Sequence, residues 1–112
     1  MSPEAYINNE LFRLGLNWIE KKKNIEYTDI QPNFPNPFKE NTRIFFQIPA
    51  KSKVNWKISD VTGKIIVASN QLFDAGEHVL EFEKNTFHSP GIYYFTFESA
   101  AFNKTLKMVK LE

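Results

Sequence analysis

The chain has 112 residues, no cysteine, a formal net charge of +1 and an aromatic content of 15% that includes eleven phenylalanines. This length suffices for one domain, whose core should be rich in aromatic rings. The lack of cysteine excludes thiol catalysis, disulfide bonds and cysteine-ligated zinc. The balanced charge gives no general attraction to nucleic acid or to an anionic membrane.

The N-terminal part of the chain divides into an apolar and a polar stretch. Apolar residues alternate along 11–19, which favours a half-buried strand, whereas Gly15 weakens a helical interpretation of 4–19. Residues 21–29 are polar and charged and are predicted to form a linker. No stretch is long and apolar enough for a membrane span, and residues 1–10 lack the features of a secretory signal peptide. We therefore expect the chain to be part of a longer protein.

Six further strands are predicted, at 42–48, 53–60, 64–69, 78–83, 92–99 and 102–112. Asp60 can accept hydrogen bonds from backbone N–H groups and Gly63 can adopt a positive φ, so 60–64 is predicted to be a hairpin turn. The last strand mixes lysines with apolar residues on its faces, so we expect it at a sheet edge or buried on one side only. Seven short strands without a convincing helix predict an all-β fold, an antiparallel β-sandwich.

Few residues suggest catalysis. His78 and His88 have no metal-ligand spacing, and Glu81 and Glu83 lie two apart on one strand, as on any solvent-facing side. The sequence has no nucleophile elbow, no glycine-rich phosphate loop and no cluster of oxygen ligands for calcium. We therefore predict that the protein is not an enzyme and that it has no catalytic, metal-binding or cofactor-binding residues.

Binding is harder to exclude from the residues alone. An aromatic platform for sugar rings is one interpretation; it would comprise Trp56, Tyr93, Tyr94 and Phe95. Core packing is the other, because Trp56 falls on the apolar side of its strand. The regular lysines of the last strand alternate between faces and so form no single stripe for nucleic acid; they are Lys104, Lys107 and Lys110.

Six short motifs follow one another after residue 29. They are Pro-Asn-Pro-Phe at 35–38, a strand ending at Pro49, Asp-Val-Thr-Gly-Lys at 60–64, Ala-Gly-Glu-His at 75–78, Gly-Ile-Tyr at 91–93 and Lys-Met-Val-Lys at 107–110. In this order and spacing they resemble the type A C-terminal sorting domain of proteins exported by the type IX secretion system of Bacteroidetes-group bacteria. The resemblance covers residues 29–112.

The resemblance implies an address rather than an activity. The family folds as an Ig-like sandwich, crosses the periplasm, and is recognised by an outer-membrane translocon and its associated shuttle protein. A sortase-like cysteine peptidase then usually removes it and can attach the cargo to an anionic lipopolysaccharide, which leaves the cargo at the cell surface or secreted. On this basis 1–20 would be the tail of an upstream cargo domain, 21–29 a linker and 30–112 the sorting domain. The cut is expected near Lys23, Asn24, Ile25 and Glu26, where a protease would find extended backbone.

The remaining motif residues receive structural or recognition roles. Structural roles are expected for Pro35, Asn36, Pro37, Phe38, Asp60, Gly63, Gly76, Gly91 and Tyr93. The prolines fix φ and aim Phe38 at the sandwich. Translocon recognition is expected in the terminal strand, at Lys107, Met108, Val109, Lys110 and Leu111, because an edge strand offers backbone groups to a receptor strand and its lysines suit acidic partners. The alternative function is a carbohydrate- or surface-binding module of an extracellular protein.

Overall fold

Seven antiparallel strands in two sheets make up residues 25–112, the part of the chain that the computed structural model describes. The predicted strand at 11–19 lies outside the described residues. The strands are β1 (Asp29–Ile30), β2 (Thr42–Ile48), β3 (Ser52–Asp60), β4 (Ile65–Phe73), β5 (Gly76–Phe82), β6 (Gly91–Ser99) and β7 (Phe102–Lys110), with a short 3-10 helix at Lys84–Thr86.

The sheets have the strand orders β1-β2-β5 and β4-β3-β6-β7. All paired strands are antiparallel. This architecture confirms the predicted Ig-like β-sandwich. The last strand, β7, lies at the edge of the four-stranded sheet and is buried on one side only, as its mixed pattern of lysines and apolar residues predicts.

Seven of the fourteen buried apolar side chains in residues 25–112 are aromatic, and alternation along β2 shows how the strands build this core. Along β2, every second residue from Thr42 to Ile48 is buried, because successive side chains of a strand point to opposite faces. The ring of Phe46 lies 5.0 Å from that of Phe97 in the opposing sheet. The ring of Trp56 lies 5.2 Å from that of Phe82 in the opposing sheet, edge-on. Burial of each large apolar side chain contributes about 1.5–3 kcal/mol, so these contacts hold the two sheets together.

The hairpin turn between β3 and β4 has the predicted chemistry. The carboxylate of Asp60 accepts hydrogen bonds from the backbone N–H and the hydroxyl of Thr62 and from the backbone N–H of Lys64. Gly63 has a φ of +92°, which residues with a side chain rarely adopt. The Thr62 hydroxyl bond is the main reason why the pKa of Asp60 lies below its usual value.

Two strands differ most from the sequence prediction. β1 was not predicted, because it has two residues and Pro32 follows closely; it pairs with Phe46 and Gln47 of β2. β4 continues to Phe73 instead of ending at residue 69. Its second half is mostly exposed and lacks alternation, but the backbone still pairs with Ser52–Asn55 of β3.

Candidate functional site

The terminal strand β7 turns one side to the core and the other to solvent. Met108 is fully buried and Leu106 is nearly so. Lys107 is exposed and Val109 is half-buried on the opposite side. The register places Lys107 beside Tyr94 and Val109 beside Ile92 of β6. Among the residues expected to recognise the translocon, Lys107, Val109 and Leu111 therefore alternate with inward-facing Met108 and Lys110.

The outer backbone edge of β7 is occupied by Asn36. In an antiparallel ladder alternate residues bond to the same neighbour, so the N–H and C=O groups of Lys107, Val109 and Leu111 point away from β6. The side-chain amide of Asn36 donates to the carbonyl of Lys107 at 3.2 Å. Its carbonyl oxygen accepts from the N–H of Val109 at 3.0 Å. One side chain thus replaces a residue of a neighbouring strand.

Phe38 continues this pairing through its backbone. Its N–H donates to the carbonyl of Val109 at 2.9 Å, and its carbonyl accepts from the N–H of Leu111 at 2.8 Å. The side chain of Phe38 is 1% exposed and meets the ring of Phe87 edge-on at 4.9 Å. We call residues 36–38 the clasp, because they fasten the first part of the sandwich to the end of the last strand.

The clasp is itself held by buried polar contacts. The Thr42 hydroxyl donates to the carbonyl of Pro35 at 2.9 Å and accepts from the Asn33 amide at 2.9 Å. Asn33 also donates to Pro35 at 3.2 Å, and both Asn33 and Thr42 are buried. Phe34 forms a two-way backbone bridge with Arg43, although its side chain is 74% exposed. The Phe34–Pro35 and Asn36–Pro37 peptide bonds are cis.

The clasp changes one expectation about the terminal strand. The sequence prediction assigned a structural role to 35–38 and recognition to 107–111 as separate features. The structure joins the two segments, and the expectation of a free backbone edge is wrong over Lys107–Leu111, because Asn36 and Phe38 occupy it. No local sequence signal indicates this contact, since 71 and 73 residues separate the partners of the Asn36 bonds.

The other structural motif residues lie at strand starts or in the core. Gly76 and Gly91 begin β5 and β6 with φ values of +130° and +143°. Gly91 is paired with Lys110, beside the clasp. The ring of Tyr93 is buried, and its hydroxyl donates to the carbonyl of Ser89 at 2.6 Å. Gly91 and Tyr93 thus lie where β6, the partner of the terminal strand, begins.

The expected cleavage region lies only partly within the described residues. Lys23 and Asn24 fall outside them. Ile25 and Glu26 precede β1 and belong to no strand. The carbonyl of Tyr27 accepts a hydrogen bond from the Gln47 side chain at 3.1 Å, and strand pairing starts at Asp29.

The aromatic platform for sugars does not exist in this fold. Tyr93 is 4% exposed and Phe95 is fully buried. Trp56 packs inward, with Phe82 edge-on at 5.2 Å. Tyr94 is 37% exposed but lies on the other side of the sheet, because the side chains of a strand alternate. A surface cleft of about 390 Å³ beside Asn55 and Asn70 is also lined by Trp56. None of Tyr93, Tyr94 and Phe95 lines this cleft, so the four rings form no common stack there.

The groups considered for catalysis are dispersed. The ring of His78 donates to the carbonyl of Asp74 at 2.7 Å and packs against Phe46 and Phe73. Glu81 lies 3.8 Å from Arg43 on the exposed side of the three-stranded sheet. Within residues 25–112 no group of acidic and histidine side chains could hold a metal ion. Nor does any helix of this region have the length and hydropathy to cross a membrane.

The two outer faces of the sandwich carry opposite charge in the described strands. The face of the four-stranded sheet has three lysines and one carboxylate, namely Lys53, Lys57, Lys107 and Glu98. The face of the three-stranded sheet has three carboxylates and one arginine, namely Asp29, Glu77, Glu81 and Arg43. The terminal strand thus contributes to the basic face.

Comparison with known proteins gives one family. No curated protein matches the chain. A family model described as a secretion system C-terminal sorting domain matches residues 33–111, which include both the clasp and the terminal strand. The motifs that resemble this family all lie on the sandwich. Sorting domains of this kind are export signals for the cell surface or the medium and are not known as enzymes. The chain therefore belongs to the family of type IX secretion C-terminal sorting domains.

Proposed function

We propose that residues 30–112 act as a folded address that carries an upstream cargo through the periplasm to the outer-membrane translocon and its associated shuttle protein. Family membership supports the role of sorting signal. The end of the terminal strand and the residue after it, Lys107–Leu111, are the part that the translocon recognises. The observation that carries this assignment is the fixed presentation of that strand, in which Lys107 and Val109 face outward while Met108 anchors it in the core.

We further propose that a sortase-like cysteine peptidase removes the domain after export, with attachment of the cargo to an anionic lipopolysaccharide. The cut lies at 23–26, upstream of Tyr27, where the first described contact with the sandwich occurs. A peptidase needs extended backbone that is free of strand pairing, and within residues 25–112 the first paired residue is Asp29. Residues 1–20 are then the tail of the cargo domain.

The test is export of a reporter. The complete chain is fused behind a periplasmic reporter in a cell with a type IX secretion system, and in a matched strain that lacks the translocon. We expect the reporter on the surface or in the medium only in the first strain, and in the periplasm after deletion of Lys107–Glu112. Surface delivery in both strains would contradict the sorting role, and delivery by the deletion variant would contradict recognition through the terminal strand.

The site of cleavage is tested by mass spectrometry of the exported cargo. We expect a new C-terminus within 23–26 in cells with the peptidase, and uncleaved cargo in cells without it. A cut beyond Asp29 would contradict the assignment, because it would fall in or after β1, whose residues Asp29 and Ile30 are paired with β2.

A further inference from the structure

We propose that the partner docks on the outward side chains of β6 and β7 instead of adding a strand to the edge of β7, and that Asn36 is the positioning residue of this surface. The inference rests on the proposed function, since it names the way in which the same terminal strand is recognised. We call the surface the terminal face; it comprises Ile92, Tyr94, Lys107, Val109 and Leu111.

Strand addition at 107–111 is blocked by the clasp. A receptor strand would need the outward C=O of Lys107, both outward groups of Val109 and the N–H of Leu111. Asn36 and Phe38 already bond to all four. Asn36 is exposed, so the loss of its two hydrogen bonds would leave the core intact. Phe38 is 1% exposed and packs on Phe87, so separating its backbone from β7 would open the core. The edge over 107–111 is therefore closed in the folded domain.

The terminal face has the composition of a docking surface. Tyr94 is 37% exposed and Leu111 is 42% exposed. Tyr94 lies beside Lys107, the single charge of the face. Tyrosine is among the residue types that dominate binding energy at protein interfaces, so Tyr94 is the expected anchor of this face. The register fixes Lys107 beside Tyr94 and Val109 beside Ile92, so the face is displayed in one arrangement.

The positive charge of the terminal face indicates the kind of partner that fits it. The terminal face belongs to the basic side of the sandwich, where Lys53, Lys57 and Lys107 outnumber Glu98. The occupant that fits is a protein surface with an apolar centre and carboxylates that meet Lys107, because complementary potentials favour encounter and register. A purely anionic polymer would satisfy the lysines but would leave Tyr94, Val109 and Leu111 without apolar contacts.

Asn36 acts through the terminal strand and not by contact with the partner. Its amide donates to Lys107 and its carbonyl accepts from Val109, which holds the backbone of two terminal-face residues. Asn36→Ala removes both bonds, whereas Asn36→Asp keeps the acceptor for Val109 and loses the donor to Lys107. The positioning role therefore predicts a graded loss of recognition, with the aspartate variant between the unmodified chain and the alanine variant.

The first experiment measures reporter export with the complete chain. Asn36→Ala should lower surface delivery by about tenfold, because the backbone of Lys107 and Val109 loses its fixed position, and Asn36→Asp should lower it less. The matched control is Ile44→Val, a small core change in the other sheet that lowers stability without touching the terminal face. Equal losses in Asn36→Ala and Ile44→Val would reduce Asn36 to a structural role and overturn the positioning inference.

The second experiment separates docking on the face from strand addition. Val109→Glu and Lys107→Glu should each lower export by about tenfold or more. Thr105→Pro removes an N–H that points outward from the edge and should leave export close to that of the unmodified chain, since an edge strand tolerates proline there. Its fold is checked by circular dichroism, and Asn103→Pro replaces it if it does not fold. Loss of export in the folded proline variant, with normal export of Val109→Glu, would overturn the inference.

Two other occupants are outcomes of the same series. If Lys107→Ala loses export but Val109→Thr and Tyr94→Ser do not, charge alone is read, as by an anionic polysaccharide, and the inference is overturned. If sedimentation shows that the complete chain self-associates and Lys107→Glu abolishes this, the terminal face binds a second copy and the inference is again overturned. Failure of the unmodified chain to deliver the reporter would count against the proposed function itself, so the two failures are distinguishable.

Discussion

The two edges of the four-stranded sheet are protected in different ways. At one edge, β4 is made of mostly exposed residues, including Asn70 and Gln71, and the ladder that joins it to β3 is irregular next to Ser59. At the other edge, β7 is regular and is covered by the clasp along 107–111. Polar residues and bulges discourage pairing with other chains, whereas a clasp also fixes which side chains face outward. The clasp therefore closes the backbone edge of β7 and holds its outward side chains in one arrangement, as the proposed docking on the terminal face requires.

The largest expected effect is the loss of the clasp's buried anchor. Phe38→Ala should lower the free energy of unfolding by about 3–5 kcal/mol, because it leaves a cavity beside Phe87. Urea denaturation of the complete chain measures this. Phe34→Ala is the control from the same segment; its ring is 74% exposed, so its effect should stay within about 0.5 kcal/mol. Equal effects of the two variants would show that Phe38 is not buried as described.

A smaller loss is expected at the buried hydroxyl behind the clasp. Thr42→Val keeps the shape of the side chain but removes the hydroxyl that bonds to Pro35 and Asn33. This change should lower the free energy of unfolding by about 1–3 kcal/mol. Thermal unfolding compares Thr42→Val with Thr105→Val, at an exposed position of β7. The free energy of unfolding of Thr105→Val should change by no more than about 0.5 kcal/mol. A neutral Thr42→Val would mean that these buried bonds do not support the clasp.

One asparagine at each edge of the four-stranded sheet, Asn36 beside β7 and Asn70 on β4, allows a direct comparison of the two edges. Asn36→Ala should lower the free energy of unfolding by about 1–2 kcal/mol, since two hydrogen bonds to β7 are lost. Asn70→Ala, on exposed β4, should stay within about 0.5 kcal/mol. Chemical denaturation measures both. If Asn70→Ala is the more destabilising, the β4 edge depends on its side chains more than the β7 edge does.

The smallest effect concerns pH and the turn that leads away from β3. The pKa of Asp60 is lowered in the folded state, mainly by the Thr62 hydroxyl, so its ionised form stabilises the fold at pH values above the unfolded pKa of about 4. This contribution is lost as the pH falls through the folded value. Asp60→Asn should therefore flatten the decrease in stability on acidification below about pH 4. Identical pH profiles would rule out a contribution from this carboxylate.

Local patterns predicted the parts of the fold that depend on neighbouring residues. β2 has the predicted bounds, because its buried and exposed residues alternate throughout. The turn at 60–64 follows from Asp60 and Gly63, whose chemistry acts within the turn itself. The second half of β4 was missed because its residues are mostly exposed and only pairing with β3 makes it a strand.

The candidate site was only half predictable. The terminal strand was identified from its alternation and its motif, but the clasp depends on an amide that bonds to backbone 71 and 73 residues away. Every residue type except proline has the same backbone N–H and C=O groups. No residue pattern therefore reveals that the carbonyl of Lys107 accepts a hydrogen bond from Asn36, or that the N–H of Val109 donates one to it. The motif at 35–38 predicted a fixed segment; what it is fixed to required the fold.

Hydrogen exchange of the outward amides of β7 tests the central claim most directly. In the complete chain, Val109 and Leu111 donate to the clasp, whereas within residues 25–112 the outward N–H groups of Asn103 and Thr105 have no backbone partner. The account predicts slow exchange at Val109 and Leu111, fast exchange at Asn103 and Thr105, and a selective rise at Val109 in Asn36→Ala. Equally fast exchange at Val109 and Thr105 in the unmodified chain would contradict it, because the edge of the terminal strand would then be open.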